Sequence, residues 1–412
     1  MRVSILTLGC KVNQSESSFI ESNLFNLGFS IVNLSEQPDY CIVNTCTVTS
    51  KSDYQSRQLI RRAVRSGAKV IATGCYSQMN PDEIRKIDRT IEIIQHSDKY
   101  SIIKLLTGHN SSNNLIYSNR ARPYVKVQDG CNGSCSYCIV PKARGKSHSM
   151  TISDITEKVA EFSLNGYKEV ILTGIHLGSY GYDLKPKLKL SNLLITLLEK
   201  TNIERIRLSS IEVNEVDNDL IALLKEKRIC CHVHIPLQSG DDRILKLMNR
   251  MYKARDFHKI IEKIVVYVPD IAIGTDVIVG FPSEGEKEFS NTRHLLDILP
   301  ITYMHIFPFS ARPNTLASKM GNQVHSMVKK ERFTELNTLN INKRTTYMNL
   351  QTGKTLDVII EEHGTENTSI GTSGNYLKVR LHTKEYSKKS LVQVRITGVE
   401  KNILQGIPIG NL

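Results

Sequence analysis

The segment CNGSCSYC places three thiols, Cys131, Cys135 and Cys138, in one short loop after the strand-like run RPYVKVQDG. Thiols this close together do not suit a disulfide framework, and clustered thiolates are the usual ligands of iron–sulfur clusters. A cuboidal cluster takes four ligands, so a set of three leaves one iron open to a further molecule. A structural zinc site is the alternative, but it needs a fourth Cys or His at short range, and the next histidine, His148, lies well beyond the loop.

Three other cysteines each follow an apolar run near the start of the chain. Cys10 follows VSILTLG, Cys46 follows YCIVNT, and Cys75 follows KVIATG. Helical patterns separate these runs, the first from about Ser17 to Leu27, which predicts an open parallel sheet. The carboxyl ends of parallel strands share one edge, so the three thiols are expected to meet there and could hold a second cluster. The alternative is that they are ordinary core residues, as we expect for Cys41, which lies inside its strand.

A second region repeats strand and helix, and its strands have to position the CNGSCSYC loop. The apolar runs are YVKVQ, EVILTG, ERIRLSS, CHVHIPLQS, IAIGTDVIVG and ITYMHIFPFS. Six such strands predict an incomplete parallel barrel, in which functional groups lie at the carboxyl ends of the strands. This rule selects Cys131, Gly174, Ser209, Ser210, Gln238 and Asp276.

The last region predicts a small antiparallel barrel, because the strand-like runs KTLDVIIEE, YLKVRL and LVQVRITGV alternate with turns rich in Gly, Asn and Lys. Between Tyr376 and Lys401 there are seven Lys or Arg residues and two Glu residues. A small basic barrel with aromatic residues is typical of nucleic-acid binding. The alternative is that these lysines only keep an exposed sheet soluble.

The composition indicates a large enzyme of a reducing compartment. With 412 residues and 40% apolar residues, the chain can form two or three hydrophobic cores. Nine cysteines, and a start, MRVSILTLGC, without a basic leader or a membrane-length apolar run, predict a cytoplasmic location and no membrane partner. A net charge of +13 favours a polyanionic partner, although many basic proteins bind nothing specific.

Seven motifs together resemble the methylthiotransferase family of radical S-adenosylmethionine (SAM) enzymes, and they follow the family order over nearly the whole chain. They are TLGCKVNQSE at 7–16, NTCTVT at 44–49, TGC at 73–75, CNGSCSYC at 131–138, TGIHLGSYG at 173–181, HIPLQSGDDRILKLMNR at 234–250 and GFPSE at 280–284. The final region resembles a TRAM domain.

The resemblance implies an α/β fold in three domains. They are an open parallel-sheet domain at 1–110, a partial (β/α)6 radical SAM barrel with its following helices at 120–350, and a small TRAM-like antiparallel β-barrel for RNA binding at 351–412. Members of this family carry two 4Fe-4S clusters and insert sulfur and a methyl group at an unreactive C–H bond. Such chemistry requires a radical cofactor, because the bond has neither acidity nor a leaving group.

The family pattern also assigns residues. It implies that Cys131, Cys135 and Cys138 bind the cluster that cleaves SAM, and that Cys10, Cys46 and Cys75 bind the auxiliary cluster. The implied SAM contacts are Tyr137, Gly174, Ser210, Glu212 and Gln238, although Tyr137 and Gly174 could instead serve loop packing. Arg144 is expected to face a phosphate or the SAM carboxylate, or else to be a solvated loop residue.

The run GCKVNQ resembles most the bacterial branch that modifies N6-threonylcarbamoyladenosine (t6A) at position 37 of tRNA, forming its 2-methylthio derivative. The alternatives are the branches that act on isopentenyladenosine in tRNA or on a ribosomal protein side chain, and a non-catalytic iron–sulfur protein that binds RNA. The implied partners are tRNA, SAM and a reduced electron donor resembling flavodoxin or ferredoxin. The sequence does not identify the sulfur donor.

Overall fold

The computed structural model describes residues 1–110 and 118–411. Its first part contains five strands and five helices, in the order β1 (Arg2–Thr7), α1 (Lys11–Asn26), β2 (Ser30–Ile31), β3 (Tyr40–Thr45), α2 (Ser50–Arg65), β4 (Lys69–Gly74), α3 (Cys75–Met79), α4 (Pro81–Arg85), β5 (Glu92–Ile93) and α5 (Ser101–Thr107). The strands form one parallel sheet in the order β2-β1-β3-β4-β5. The predicted open parallel sheet is therefore confirmed.

This sheet is covered on both faces, because successive side chains of a strand point in opposite directions. In β3, Ile42 packs with Ile20 of α1 on one face, and Cys41 and Val43 pack with Ile60 of α2 on the other. The strand order reverses direction between β1 and β3, and in doubly wound sheets ligands bind outside the strand ends at such a point.

Helix α1 begins at Lys11, whereas the apolar pattern predicts a start near Ser17. The difference arises because the first turns of α1 bury polar side chains, among them Asn13 and Glu16, which an apolar periodicity cannot reveal. Buried polar residues of this kind need partners, and these lie both in this part of the chain, as Lys99 does for Glu16, and in the next part, as Arg144 does.

The second part contains eight strands, β6 (Tyr124–Lys126), β7 (Gln128–Asp129), β8 (His148–Ser149), β9 (Glu169–Thr173), β10 (Arg205–Leu208), β11 (His232–His234), β12 (Ala272–Val279) and β13 (Tyr303–Pro308). Its eight helices are α6 (Val140–Arg144), α7 (Ile152–Leu164), α8 (Leu190–Lys200), α9 (Asn218–Leu223), α10 (Asp242–Leu247), α11 (Ala254–Tyr267), α12 (Glu286–Ile298) and α13 (Ser326–Asn349).

Six of these strands run parallel in two sheets, β6-β9-β10 and β11-β12-β13. A parallel bridge between Ile206 and Ile229 joins the two sheets, so the six strands follow one another in the predicted order of a partial barrel. β7 and β8 pair antiparallel and close the base of the loop that carries Cys131, Cys135 and Cys138. The loop is therefore held at both ends.

The last part is a closed barrel of five strands, β14 (Thr355–His363), β15 (Ser369–Ser373), β16 (Lys378–Leu381), β17 (Leu391–Glu400) and β18 (Ile403–Asn411), in the order β14-β15-β16-β18-β17. The sequence predicted only β14, β16 and β17, because β15 and β18 contain Gly, Ser or Pro, which weaken a strand pattern. The antiparallel barrel is confirmed, with one exception: β16 and β18 run parallel.

A buried cluster of charges attaches this small barrel to the partial barrel. Glu169 is fully buried and pairs with Arg205 and Arg207, with 2.8 Å between Arg207 Nε and Glu169 Oε1. The same arginines donate to main-chain carbonyls of the small barrel, Arg205 to Asp357 at 2.6 Å and Arg207 to Ser373 at 2.9 Å. One carboxylate thus orients two arginines across the boundary.

The division into domains at 1–110, 120–350 and 351–412 stays a prediction, and its first boundary falls on residues 111–117, outside the described ranges. Within the part of the chain that the structure describes, no helix has both the length and the apolar character required to cross a bilayer.

Candidate metal centres

The three cysteines of the barrel loop line one cavity of about 550 Å³ at the carboxyl ends of the barrel strands. Cys131 lies two residues beyond the end of β7, and its amide donates to the Gly145 carbonyl at 3.1 Å, which fixes the loop over the cavity. All three thiols are free and partly exposed. The loop therefore presents Cys131, Cys135 and Cys138 to one cavity, a donor set that fits an iron–sulfur cluster better than a disulfide.

Three of the five predicted SAM contacts, Tyr137, Glu212 and Gln238, line the same cavity. Gly174 and Ser210 are not among the residues that line this cavity. A Cβ at Gly174 would come within 2.8 Å of the Gln128 side chain, so this glycine leaves room for its neighbour, while Ser210 is exposed. The side chain of Tyr137 also packs edge-on against a core phenylalanine, so it does serve packing, while its contact with SAM stays a prediction.

Two further residues of the predicted barrel mouth differ in position. Ser209 is buried, and Asp276 lies within β12, not beyond its end. Asp276 accepts from His234 at 2.9 Å and from His305 at 3.1 Å. Burial would raise the pKa of Asp276, but the two histidines outweigh burial and hold the pKa well below its usual range.

Sequence reasoning missed two cations that contact the thiols of the barrel loop. His176 Nδ1 lies 3.6 Å from Cys131 Sγ, and Arg250 Nη1 donates to Cys135 Sγ at 3.2 Å. Each cation is held by a carboxylate: Glu215 lies 2.8 Å from His176 Nε2, and Glu212 pairs with Arg250. Both cations lie inside motifs of the family resemblance, TGIHLGSYG and HIPLQSGDDRILKLMNR. Their place in these motifs was the signal that could have identified them as functional residues.

These contacts change the acidity of the groups involved. Burial would raise the pKa of Cys131, but donation from His176 and from the Gly133 amide outweighs it and lowers the pKa of Cys131 below its usual value. Burial would lower the pKa of His176, but Cys131 and Glu215 raise it to about 10. These contacts favour the thiolate form of Cys131, the form in which a cysteine binds metal, beside a protonated His176.

The amino-terminal cysteines meet at the predicted edge of the sheet. Cys10 precedes α1, Cys46 follows β3, and Cys75 is the first residue of α3. A Cβ added to Gly9 would lie 3.0 Å from Cys46 Sγ, so the backbone before Cys10 touches Cys46. Burial is the main cause that raises the pKa of Cys75, to about 11, and the charges of Cys10 and Cys46 act in the same direction. The three thiols are therefore neighbours.

Two glycines make this meeting possible. Gly9 and Gly74 have φ of 111° and 95°, in the region that side chains rarely adopt. A Cβ at Gly74 would also come within 2.5 Å of the Thr45 carbonyl. The chain can turn from strand end to cysteine in so little space only with glycine at these positions.

Arg144 links the two groups of cysteines. It ends α6, which follows Cys138, and its buried guanidinium donates to Glu16 at 3.0 Å, to Asp129 at 2.7 Å and to Asn13. Asn13 Oδ1 in turn lies 3.8 Å from Cys10 Sγ. The prediction of a solvated loop arginine is wrong, because this side chain pairs with protein carboxylates between α1 and the barrel loop.

The acidic partner in this network is itself strongly stabilised as a carboxylate. Burial would raise the pKa of Glu16, but Lys99, Arg144 and Lys126 outweigh it and lower the pKa to about 2. A buried charge compensated by several cations is costly to disturb. The network therefore fixes the position of α1, and with it Cys10, relative to the barrel.

Two family models match this chain: "Radical SAM superfamily" over residues 125–296 and "Uncharacterized protein family UPF0004" over residues 2–95. A relative from Aquifex aeolicus, "Threonylcarbamoyladenosine tRNA methylthiotransferase MtaB", is 38% identical, covering 89% of this chain and 95% of the relative. The chain belongs to the methylthiotransferase family of radical SAM enzymes. This family implies a 4Fe-4S cluster and SAM, and both fit the cavity at Cys131, Cys135 and Cys138.

Two further methylthiotransferase relatives carry names that state different substrates. The Bacillus subtilis relative, also a "Threonylcarbamoyladenosine tRNA methylthiotransferase MtaB", is 34% identical over 96% of this chain and 93% of its own length. An Acetivibrio thermocellus relative, "tRNA-2-methylthio-N(6)-dimethylallyladenosine synthase", is 31% identical over 97% and 89%. The structure of the radical SAM methyltransferase TsrM from Kitasatospora setae, 12% identical, matches with a TM-score of 0.57 over 77% of this chain and 76% of that one, which shows a shared fold.

Proposed function

We propose that this protein inserts sulfur and a methyl group at C2 of N6-threonylcarbamoyladenosine at position 37 of tRNA. The observation that carries the proposal is the presence of two separate groups of three free cysteines, one in the barrel cavity and one at the edge of the amino-terminal sheet. Relatives named for this substrate are 32% to 38% identical to the chain, which supports the choice of base.

In the barrel, Cys131, Cys135 and Cys138 would hold a 4Fe-4S cluster, which supplies an electron for SAM cleavage when bound. The protein positions the ligands for that step. Arg250, fixed by Glu212, directs a positive charge at Cys135, and His176 does the same for Cys131. Tyr137 and Gln238 line the same space and are proposed to contact SAM, while the proposed roles of Gly174 and Ser210 stay predictions.

At the sheet edge, Cys10, Cys46 and Cys75 would bind the auxiliary cluster, which would hold the sulfur that is transferred. Cys46 and Cys75 are buried and Cys10 is exposed, so the site is open only on the side of Cys10. The buried contacts of Arg144 and Glu16 keep this edge against the barrel loop. The protein's part is to hold both groups of thiols at one substrate and to exclude water.

The partners follow from this proposal. The basic strands of the small barrel are proposed to bind tRNA phosphates, an interaction that weakens with salt. A reduced protein resembling flavodoxin or ferredoxin would supply electrons, and a sulfur donor is required that the sequence does not identify. A cytoplasmic location is proposed because both tRNA and reduced thiols are found there.

The deciding experiment is mass spectrometry of tRNA nucleosides from cells with and without this gene. We expect the 2-methylthio derivative of N6-threonylcarbamoyladenosine to disappear when the gene is deleted and to return with the intact gene. Loss of a 2-methylthio derivative of isopentenyladenosine, or of a modified ribosomal peptide, would instead assign the chain to another branch.

A biochemical measurement separates catalysis from a purely structural role of the clusters. We expect oxygen-free purified protein to hold about eight irons per chain and, once reduced, to cleave SAM. Protein that binds RNA and iron but leaves SAM intact would support the non-catalytic alternative.

A further inference from the structure

A row of rings runs along the inner face of the second barrel sheet. It consists of His232 and His234 of β11, Tyr303, His305 and Phe307 of β13, and Tyr376 from the turn between β15 and β16. The three residues of β13 alternate along the strand and so share one face. We call this set the aromatic row.

The aromatic row is continuous and extends from solvent to the interior. The ring centroids of His305 and Phe307 lie 6.4 Å apart, those of Tyr303 and His305 5.3 Å, and those of His232 and Tyr376 4.6 Å. Phe307 is 43% exposed, whereas Tyr303 is 7% exposed. A run of neighbouring rings that is open to solvent at one end provides ring faces on which a nucleobase can stack.

Lys11 faces the inner end of this row. Its ammonium lies 6.0 Å from the centroid of the Tyr376 ring. Within residues 1–110 and 118–411, Lys11 forms no ion pair with a carboxylate. The acidic residues that act on it from a distance already have other partners, because Asp276 accepts from two histidines and Glu169 pairs with three arginines. A largely buried ammonium without its own anion is unfavourable unless a ligand supplies one.

The position of Lys11 in the chain limits what that ligand can be. Lys11 directly follows Cys10, the exposed member of the amino-terminal group of thiols. In adenine, C2 and C6 both flank N1, so a base that presents C2 to a sulfur held beside Cys10 carries its N6 substituent within a few bonds of the same place. The N6 substituent therefore falls within reach of a lysine side chain next to Cys10.

We propose that Lys11 binds the carboxylate of the threonylcarbamoyl group while the adenine ring stacks along the aromatic row, and that this contact selects the substrate. This inference depends on the proposed function and names a residue that recognises the N6 substituent of the base. An apolar N6 group such as dimethylallyl would leave the Lys11 ammonium without an anion, so the same lysine disfavours that substrate.

The test uses reconstituted holoenzyme and anticodon stem-loop RNAs that differ only at position 37. The RNAs carry N6-threonylcarbamoyladenosine, its neutral methylamide, or N6-dimethylallyladenosine. We expect wild-type protein to bind the carboxylate RNA roughly tenfold more tightly than the methylamide RNA, the effect of one charge-assisted hydrogen bond. In Lys11→Gln, this tenfold difference should shrink to about one, because either partner alone can remove the contact.

Two variants serve as controls. Lys11→Arg keeps the charge and should keep most of the preference, and Lys200→Gln removes an exposed lysine at the end of α8 and should behave as wild type. The iron content of Lys11→Gln should stay at about eight per chain, which shows that the neighbouring thiols are intact.

Three outcomes would overturn the inference. The first is a full carboxylate preference in Lys11→Gln, and the second is an equal loss of affinity for all three RNAs. The third is a wild-type protein that modifies N6-threonylcarbamoyladenosine without preferring its carboxylate. A wild-type protein that modifies only N6-dimethylallyladenosine would instead contradict the proposed function itself.

Discussion

Each group of cysteines contains three thiols, but the chain brings the members of the two groups together in different ways. Cys131, Cys135 and Cys138 come from one loop, so their spacing alone brings them together. Cys10, Cys46 and Cys75 come from three strand ends, and only the order of the parallel sheet makes them neighbours. A local motif is readable from the sequence, whereas a site assembled by topology is readable only after the sheet has been predicted.

The surroundings of the two groups also differ. The barrel thiols receive donors directly, His176 on Cys131 and Arg250 on Cys135, and they open into a cavity. The amino-terminal group is mostly enclosed by protein: Cys46 is 6% exposed, and Arg144 contacts Asn13, which in turn lies beside Cys10. The first group is therefore accessible to a small molecule, whereas the second group is enclosed by protein beside the first.

The largest expected effect comes from Cys135→Ala. Loss of one of three thiolate ligands should abolish SAM cleavage and lower the iron content from about eight to about four per chain. The measurements are iron analysis and chromatographic detection of 5′-deoxyadenosine. Cys231→Ala, a cysteine away from both groups, is the matched control and should retain both values. Continued formation of 5′-deoxyadenosine by Cys135→Ala would show that the loop does not bind the cleaving cluster.

Cys46→Ala should distinguish the roles of the two groups of cysteines. We expect the same fall in iron content, to about four per chain, but retained SAM cleavage and no methylthio product on tRNA. The same two assays, together with nucleoside mass spectrometry, give the result. Equal loss of SAM cleavage in Cys46→Ala and Cys135→Ala would mean that the groups do not act independently.

The sequence predicted the parallel sheet, the partial barrel and both sets of cysteines, because apolar periodicity and strand ends are local signals. It did not predict the contacts of Arg144, Arg250 or His176. Their roles depend on which carboxylates and thiols lie opposite them after folding, and no spacing encodes this. The same reason explains the early start of α1, whose first turns bury polar side chains that contact Arg144 after the barrel loop.

The two arginines should differ in their effect on stability. Arg144→Met leaves the fully buried Glu16 with one cation fewer, and we expect the free energy of unfolding to fall by about 3 kcal/mol. Arg250→Met leaves Glu212, whose side chain is 26% exposed and can be hydrated, so the expected loss is about 1 kcal/mol. Urea denaturation followed by circular dichroism measures both.

A reversed order of these two losses would contradict the view that the amino-terminal group depends more on buried charge than the barrel group does. Arg144→Lys is the informative companion, because it keeps the charge but loses the planar fork that reaches Glu16, Asp129 and Asn13 together. We expect its stability to lie between those of wild type and Arg144→Met.

The smallest effect is expected for Cys41→Ala, which compares two cysteines of the same strand region. Cys41 lies inside β3, is fully buried and packs with Val43 and Ile60, whereas Cys46 lies beyond the end of β3. Loss of one buried sulfur should lower the free energy of unfolding by about 1 kcal/mol and leave iron content and product formation unchanged. If Cys41→Ala instead lost as much iron as Cys46→Ala, position relative to the strand end would not distinguish a packing cysteine from a ligand, and the topological argument for the amino-terminal group would fail.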